Sequence, residues 1–444
     1  MNRRIPARIV AITEELASSL AAWCGEGRGR DLATHEAAVL ERVRGVLGRL
    51  LGAVLVEATP GLDRGQRWGK TACPGCARAT GPGGWRERTL ATRCGSVTVP
   101  TLRYRCADCG RGWSGLETTL GVPARARMSA GLEAWVARLG GVTDFREAAE
   151  LLAEYTGVAL GAETVRRQTE RVGAALADAE DAVLATVEQT REPVGPVDPA
   201  PGELVVELDG VMVRYQDGWH EVKVGAVGGV VDRAATALSY TAAREGPDRF
   251  GPRLVTEAAR RGALEIVGWD GPVRGRGLAR LRRVVVLGDG ARWIWELAAE
   301  QFGDRIEIVD YYHASQHLWE VARALYPDDP AGQAAWATPL TRRLRDDGIA
   351  PVLDALAAAT APPGTAAADI LRRERAFFRA NADRMAYPAF KAQGFPIGSG
   401  AVESAARHVI QLRMKRPGMR WSDHGGRAIA ALRSRLRSSR PLAA

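Results

Sequence analysis

The stretch "VVVLGDGARWIWELAAEQFGDRIEIVDYYHASQHL", residues 284–318, decides how this chain is interpreted. A run of apolar residues leads into Gly-Asp-Gly, which places Asp289 at the end of a predicted buried strand. An aspartate in this position is either a turn former or a ligand for a cation. The remainder of the sequence has to decide between these two roles.

The elements predicted around this stretch follow the order of one α/β fold. Three strands come first, "ELVVELDGVMVRY", "HEVKVGAVGGVV" and "ATALSYTAAR", and short turns join them. A helix, the strand ending at Asp289, a second helix, a fifth strand and a third helix follow. Three antiparallel strands succeeded by alternating helices and strands predict a ribonuclease-H-like α/β domain, in which the first and fourth strands are neighbours.

At 444 residues the chain is predicted to be a multidomain α+β protein. An N-terminal helical region and a zinc-ribbon-like segment precede a helical region that resembles a helix-turn-helix. Four prolines then mark a linker, and an Ala-rich helical insertion interrupts the catalytic domain. The predicted segments, in chain order, are 1–65, 66–120, 121–190, the linker 191–203, 204–326, the insertion 327–395 and the completing part 396–444.

Three carboxylates on separate elements are candidates for binding two Mg²⁺ or Mn²⁺ ions. Asp209 lies within the first strand, Asp289 ends the fourth, and Glu403 follows a Gly-Ser-Gly loop. Phosphodiester cleavage uses two such ions, and Mg²⁺ prefers carboxylate ligands. A turn, a helix N-cap and a helix-end charge are the respective structural alternatives. Glu207 shares the strand face of Asp209, which predicts a supporting role for it.

Five of the six cysteines lie between Cys73 and Cys109. Four of them form two Cys-x-x-Cys pairs, which are Cys73 with Cys76 and Cys106 with Cys109. Paired knuckles of this kind place four thiolates at the corners of a tetrahedron, which suits a structural Zn²⁺. A pair of disulfides is the alternative, and a reducing cytoplasm disfavours it.

Net charge of +9 indicates a polyanionic partner, although Arg-rich composition throughout the chain is an alternative explanation. The distribution is more informative, because ten basic residues and a single acidic one lie from Arg407 to Arg440. No long apolar window is present, and Glu14 and Glu15 interrupt the N-terminal apolar stretch. Neither a membrane span nor a signal peptide is therefore predicted, and the cytoplasm is the expected location.

Two basic clusters are candidates for contacting DNA. Arg166 and Arg167 open the second helix of the helix-turn-helix pattern, for which an ordinary pair of antiparallel helices is the alternative. A second cluster follows Glu403 closely enough to line the approach to the carboxylates, with a solvated tail as the alternative. Its members are Arg413, Lys415, Arg416, Arg420 and Trp421.

The set "ELDGVMV", "LGDGARWIW", "VDYYHASQHL" and "GSGAVESAARHVIQLRMKRPGMRWS" resembles the DDE transposases of bacterial insertion sequences, particularly the Kra-type group, with kinship to Mutator-like transposases. The resemblance implies that Asp209, Asp289 and Glu403 form the metal-binding triad. It also implies auxiliary roles for Asp310 and His313, with the histidine near the scissile phosphate.

The function expected from this resemblance is Mg²⁺-dependent cleavage at insertion-sequence ends and strand transfer into target DNA. The zinc-binding and helical regions would recognise the terminal repeats, and the protein would act as a homo-oligomer in the bacterial nucleoid. A catalytically silent DNA-binding regulator and a ribonuclease-H-like structure-specific nuclease are the alternative functions.

Overall fold

The computed structural model describes residues 5–439, with gaps at residues 60, 66, 191–197, 268–277 and 282. It is a mixed α+β structure, as the sequence predicts. The chain divides into two compact units, Met1–Val172 and Gly173–Ala444. The boundary between them lies inside one long helix.

Two helices open the first unit, α1 (Ala7–Glu26) and α2 (Leu32–Ala58). Asp31 begins the second helix, because its carboxylate accepts a hydrogen bond of 2.8 Å from the N–H of Thr34. A side-chain acceptor at this position satisfies a first-turn donor that has no partner within the helix. The helix then packs its Val56 into a small apolar core of the unit.

The cysteine-rich segment forms two small antiparallel sheets. Its strands are β1 (Thr71–Ala72), β2 (Ala79–Thr80), β3 (Pro82–Thr92), β4 (Gly95–Arg105) and β5 (Gly112–Ser114). One sheet pairs β1 with β2, and the other has the order β3-β4-β5. Alternate residues of β4, Val97 and Val99, are buried against α2, which is the period expected of a half-buried strand.

Helices complete the first unit: α3 (Gly115–Leu120), α4 (Ala130–Val142), α5 (Phe145–Thr156) and α6 (Ala162–Thr190). The carboxylate of Asp144 caps α5, and Gly157 ends it with a φ of 72°. The second helix of the helix-turn-helix pattern is α6, which runs on to Thr190 because apolar residues recur at helical spacing well beyond the turn.

A five-stranded mixed sheet organises the second unit, with strand order β12-β11-β6-β7-β8. The strands are β6 (Glu203–Tyr215), β7 (Gly218–Val231), β8 (Ala234–Ala243), β11 (Val284–Gly288) and β12 (Arg305–Val309). The first three are antiparallel, and β11 is parallel to both β6 and β12. The first and fourth strands of this sheet are therefore neighbours, as predicted.

Outside that sheet, β9 (Leu264–Val267) and β10 (Leu278–Leu281) form a separate antiparallel pair that was not predicted. The helices of the second unit are α7 (Pro247–Ala258), α8 (Arg292–Gln301), α9 (Tyr311–Leu325), α10 (Pro330–Asp346), α11 (Ala350–Ala358), α12 (Ala366–Ala380), α13 (Tyr387–Ala392), α14 (Gly400–Ala405), α15 (Leu412–Met414) and α16 (Asp423–Arg437). A π-helical turn, Ala406–Gln411, joins α14 to α15.

One apolar core joins the sheet to the helices that follow β12. Every residue of β11 is buried, as expected of a strand with helices on both faces. Val285 of that strand, Leu318 of α9, Leu340 of α10 and Phe378 of α12 belong to the same cluster of buried side chains. The predicted helical insertion therefore packs as part of the second unit.

The predicted linker 191–203 lies partly outside the described residues, since 191–197 are not described. Its remaining part is attached to the second unit. Asp198 and Ala200 donate backbone hydrogen bonds of 2.8 and 3.1 Å to Arg260 and Arg261, and Ala200 is buried. Asp198 and Ala200, in the described part of the predicted linker, are consequently hydrogen-bonded to the second unit.

Candidate active site and cysteine cluster

Strands β11 and β6 bring Asp209 and Asp289 into the same region of the sheet. The two strands pair in parallel as far as Leu287 and Glu207, which are two residues before Asp289 and Asp209. Asp289 lies near enough to Asp209 for its charge to raise the pKa of that carboxyl.

The electrostatics of Asp209 agree with this placement. The side chain is half-buried, and burial raises its pKa to about 6. The nearby carboxylates of Asp289, Glu403 and Glu221 raise this pKa further, whereas a hydrogen bond from the N–H of Gly210 lowers it. A raised pKa at converging acidic groups is the signature of a site that gains from binding a cation.

Glu403 reaches this region because Glu207 holds the start of its helix. The Glu207 side chain is 1% exposed, and its Oε2 accepts a hydrogen bond of 2.8 Å from the N–H of Val402. Burial raises the pKa of Glu207 to about 8, with Asp310 and Glu403 adding to the increase. Glu207 therefore links β6 directly to α14, while its supporting role at a cation site stays a prediction.

Asp310 anchors the Gly-Ser-Gly loop that precedes Glu403. Its Oδ1 accepts the N–H of His313 at 2.7 Å and so caps α9, while its Oδ2 accepts the Ser399 hydroxyl at 2.6 Å and also the Ser399 N–H. The N–H of Tyr311 adds a hydrogen bond of 2.8 Å to the carbonyl of Ile397. Asp310 is 1% exposed, so its position suits a group that orients the loop.

His313 lies at the start of α9, between Asp310 and a second histidine. Burial and the neighbouring His317 lower the pKa of His313, and the charges of Asp289 and Asp310 partly offset this. The rings of the two histidines meet edge to face, with 4.9 Å between their centroids. His313 is therefore mainly neutral at pH 7, and an imidazole in that state can both donate and accept a hydrogen bond.

Glu374, a fully buried residue of α12, was missed by the sequence analysis. Its Oε2 lies 2.5 Å from Nδ1 of His317, whose ring stacks on Phe377 at 4.0 Å. A signal was present in the sequence, because Leu371 and Phe378 flank Glu374 at helical spacing and place it on the buried face. The insertion thus contributes a carboxylate that fixes the histidine pair.

Two groups of side chains among the described residues have donor atoms within 4.8 Å of one another, as a bound metal ion requires. One is the cysteine cluster, and the other contains His317, Glu320 and Glu374. The Arg373 guanidinium already bridges the two glutamates of the second group, at 2.6 and 2.7 Å. Asp209, Asp289 and Glu403 belong to neither of these two groups.

The four cysteines form a compact cluster that could hold a zinc ion. The Sγ atoms of Cys73 and Cys109 are 3.6 Å apart, as are those of Cys76 and Cys106. All four thiols are free, which excludes the disulfide alternative in this structure. A tetrahedral ion with Zn–S distances of about 2.3 Å requires sulfurs about 3.8 Å apart.

The backbone of the two knuckles repeats the same pattern. Ala77 donates to the Cys73 carbonyl at 2.8 Å, and Gly110 donates to the Cys106 carbonyl at 3.1 Å. Both donors have a positive φ, 62° for the alanine and 71° for the glycine. The N–H groups of Cys109 and Asp108 lower the pKa of the Cys106 thiol to about 6, despite its burial. Thiolate is the form that binds metals.

The predicted DNA-contacting arginines of the first unit lie at the start of α6. Arg166 makes ion pairs with Glu163 and Glu170 at 2.7 and 2.5 Å, and Arg167 lies 3.7 Å from Glu163. Arg167 keeps 66% of its side chain exposed. It is therefore the more accessible of the two cations.

Two of the five predicted DNA contacts near the C-terminus are wrong, because their side chains are inside the second unit. Arg413 is completely buried, and Trp421 is 6% exposed and donates its indole N–H to Met414 at 3.0 Å. The Trp421 ring is buried within the second unit, so it cannot stack on a base in this structure. The remaining members are accessible: Lys415 and Arg420 are exposed, and Arg416 is half-exposed.

None of the described helices combines the length and apolar character that crossing a membrane requires. No protein-family model matches the chain, and no match exists among the curated proteins with which it was compared.

Proposed function

We propose that this chain is a DNA transposase that cuts phosphodiester bonds at the ends of a mobile element and joins those ends to target DNA. The observation that carries the proposal is that Asp289 and Glu403, from a neighbouring strand end and an anchored helix, lie near enough to Asp209 to raise its pKa. The sheet order supports a ribonuclease-H-like domain, and helices α10 to α13 lie where the resemblance expects an insertion.

The three carboxylates would hold a pair of divalent cations. Mg²⁺ prefers carboxylate oxygens, and enzymes that cleave phosphodiester bonds use two such ions. Two Mg²⁺ or Mn²⁺ ions bound here would activate an oxygen nucleophile and stabilise the leaving oxygen.

The side chains have separate tasks in this proposal. Asp209 and Asp289 bind and position the cations from the sheet, and Glu403 completes the set from α14. Asp310 holds the loop before α14, and neutral His313 is available to donate a hydrogen bond to the phosphate at the reaction site. No nucleophilic side chain is required, because water and then the freed 3′-hydroxyl attack phosphorus in turn.

The cysteine cluster is proposed to hold a structural Zn²⁺. The sulfur spacing of 3.6 Å supports this role, as does the lowered pKa of Cys106. The zinc-bound segment and the exposed Arg167 would recognise the element ends. Lys415, Arg416 and Arg420 would contact phosphates near the triad. The positive charge of this region is also felt by Arg433, because burial and then the charges of nearby arginines lower its pKa to about 10.

A homo-oligomer is proposed because a mobile element has two ends that must be cut and joined together. Each end would then occupy one active site. The bacterial nucleoid is the location that such a substrate implies.

The proposal is tested with purified protein, Mg²⁺ and a DNA duplex that carries the sequence flanking the gene. Wild-type protein should cut one strand and join its 3′ end to a target plasmid. Asp289→Asn should bind the duplex normally and lose joining on the order of 1,000-fold or more, since it lacks a cation ligand. Asp383→Asn is the matched control, because this exposed carboxylate lies outside the triad.

The two alternative functions give different results in the same assay. A structure-specific nuclease would cut the duplex and never join it to the plasmid. A silent regulator would bind the duplex, and neither wild type nor variant would cut it. Residual joining by Asp289→Asn at the wild-type rate would exclude the proposed triad.

A further inference from the structure

Three tyrosine rings lie in a row from the core of the second unit to its surface. Tyr387 is fully buried, and its hydroxyl donates a hydrogen bond of 2.9 Å to the carbonyl of Val309. The rings of Tyr311 and Tyr387 meet edge to face, with 5.6 Å between their centroids. The hydroxyl of Tyr311 donates a hydrogen bond of 3.1 Å to the carbonyl of Thr341. Tyr312 packs on Tyr311 at 5.3 Å and is 62% exposed. The outermost ring is thus braced by two fixed ones.

The loop before Glu403 supports Tyr312 from another side. A Cβ atom at Gly398 would lie 2.8 Å from Cε2 and 3.0 Å from Cδ2 of Tyr312, and the shorter distance is one that real Cβ atoms essentially never show. The ring therefore rests directly on the backbone of that loop, which Asp310 fixes through Ser399. A side chain at position 398 would force the ring or the loop to move.

Tyr312 also lies beside the loop that leads to Glu403. The residue after Gly398 is Ser399, whose carbonyl accepts a hydrogen bond of 3.0 Å from the N–H of Glu403. The ring is solvent-exposed and braced by Tyr311, so it offers an aromatic surface to a ligand at this loop.

We propose that Tyr312 is a stacking platform for the nucleobase next to the scissile phosphate. This inference rests on the proposed function, because it assigns part of the same DNA strand. Aromatic side chains bind bases through their faces with little sequence preference. A braced ring loses little conformational freedom on binding, so more of the stacking free energy is retained.

The test uses a short fluorescein-labelled single strand from the DNA flanking the gene, with Asp289→Asn as background so that binding is measured without chemistry. Tyr312→Ala should weaken binding about tenfold in fluorescence anisotropy. Tyr312→Phe keeps the ring and should restore most of that loss. Tyr326→Ala is the matched control, because this tyrosine lies beyond the opposite end of α9 and is 37% exposed.

A fluorescent adenine analogue placed beside the cleavage position reports stacking directly. Its emission should change on binding to the background protein and to Tyr312→Phe, and change much less with Tyr312→Ala. Equal affinity and equal emission for Tyr312→Ala and Tyr326→Ala would overturn the inference. Joining by the otherwise wild-type chain is measured in parallel, so a chain that never joins DNA refutes the proposed function whatever the Tyr312 variants do.

Discussion

At the scale of single residues, Asp289 has the contact of a turn residue and stays available for the proposed ligand role. Its Oδ1 accepts a hydrogen bond of 2.8 Å from the N–H of Ala291. It also lies near enough to Asp209 for its charge to raise the pKa of that carboxyl. A carboxylate has two oxygens and several lone pairs, so a turn hydrogen bond leaves capacity for a cation.

Asp310 offers a test of how the loop before Glu403 is positioned. Asp310→Asn replaces an acceptor of the Ser399 N–H and hydroxyl with an amide that can turn a donor towards them. We expect a loss of about 2 kcal/mol in the free energy of unfolding, because buried groups are left unsatisfied. Urea denaturation measures this loss, and joining activity should fall further than the folded fraction does.

Ser399→Ala is the matched control for this substitution. It removes the hydroxyl but keeps the backbone N–H on Asp310, so about half of the destabilisation is expected. A variant Asp310→Asn with wild-type stability and activity would show that the loop does not depend on this carboxylate.

The residues that were predicted differ in kind from those that were missed. Asp209 and Asp289 follow from strand order and alternation, which are local patterns. The contact of Glu374 with His317 depends on how a helical insertion folds back, and no local pattern encodes it. Trp421 was misassigned because basic neighbours favour a surface position, whereas its backbone N–H and C=O pair with Arg214 and Gln216 of the β6–β7 hairpin.

At the scale of elements, helix α6 carries a pH-sensitive carboxylate into the second unit. Glu180 lies 3.8 Å from the guanidinium of Arg253, which already pairs with Asp181 at 2.5 Å and with Glu245. Burial raises the pKa of Glu180 to about 7, with Glu257 and Asp181 adding to the increase and Arg253 and Arg260 opposing it. Arg253 is therefore close to three carboxylates, and its single positive charge cannot neutralise all of them.

This arrangement predicts a stability loss as the pH rises. The folded state keeps the Glu180 proton up to about pH 7, whereas the unfolded chain releases it near its ordinary pKa of 4.5. Stability is therefore lost between these values. The side chain is 35% exposed, so we expect a discounted effect of about 1 kcal/mol. As the pH rises from 5 to 8, the free energy of unfolding of Glu180→Gln should increase by about this amount relative to wild type, as measured by urea denaturation. The same pH dependence of unfolding free energy in both proteins would contradict this.

The cysteine cluster predicts zinc-dependent folding of its own segment. Purified protein should contain about one Zn²⁺ per chain, and chelation should unfold the two knuckles because the four thiolates would lose the ion that holds them together. Cys106→Ser should lose the metal, measured by elemental analysis. Cys94→Ser is the control, since this half-buried cysteine is outside the cluster. Metal content that is equal in both variants would exclude the site.

At the scale of the whole molecule, the seven predicted segments combine into two compact units. Local clusters of proline and cysteine locate the linker and the knuckles in the sequence. They do not reveal that α6 continues through the boundary at Val172. Nor do they reveal that the insertion shares its core with the sheet, through Leu340 and Phe378, because burial depends on contacts between distant segments.

The measurement that tests the central claim most directly uses a DNA end in which sulfur replaces one non-bridging oxygen of the scissile phosphate. If Asp209, Asp289 and Glu403 hold cations against that phosphate, wild-type protein should cut one sulfur stereoisomer at least about tenfold more slowly in Mg²⁺. Mn²⁺ should restore cutting, because it accepts sulfur more readily than Mg²⁺ does. Equal rates in Mg²⁺ for the oxygen substrate and both sulfur stereoisomers, or cutting by Asp289→Asn, would contradict the claim.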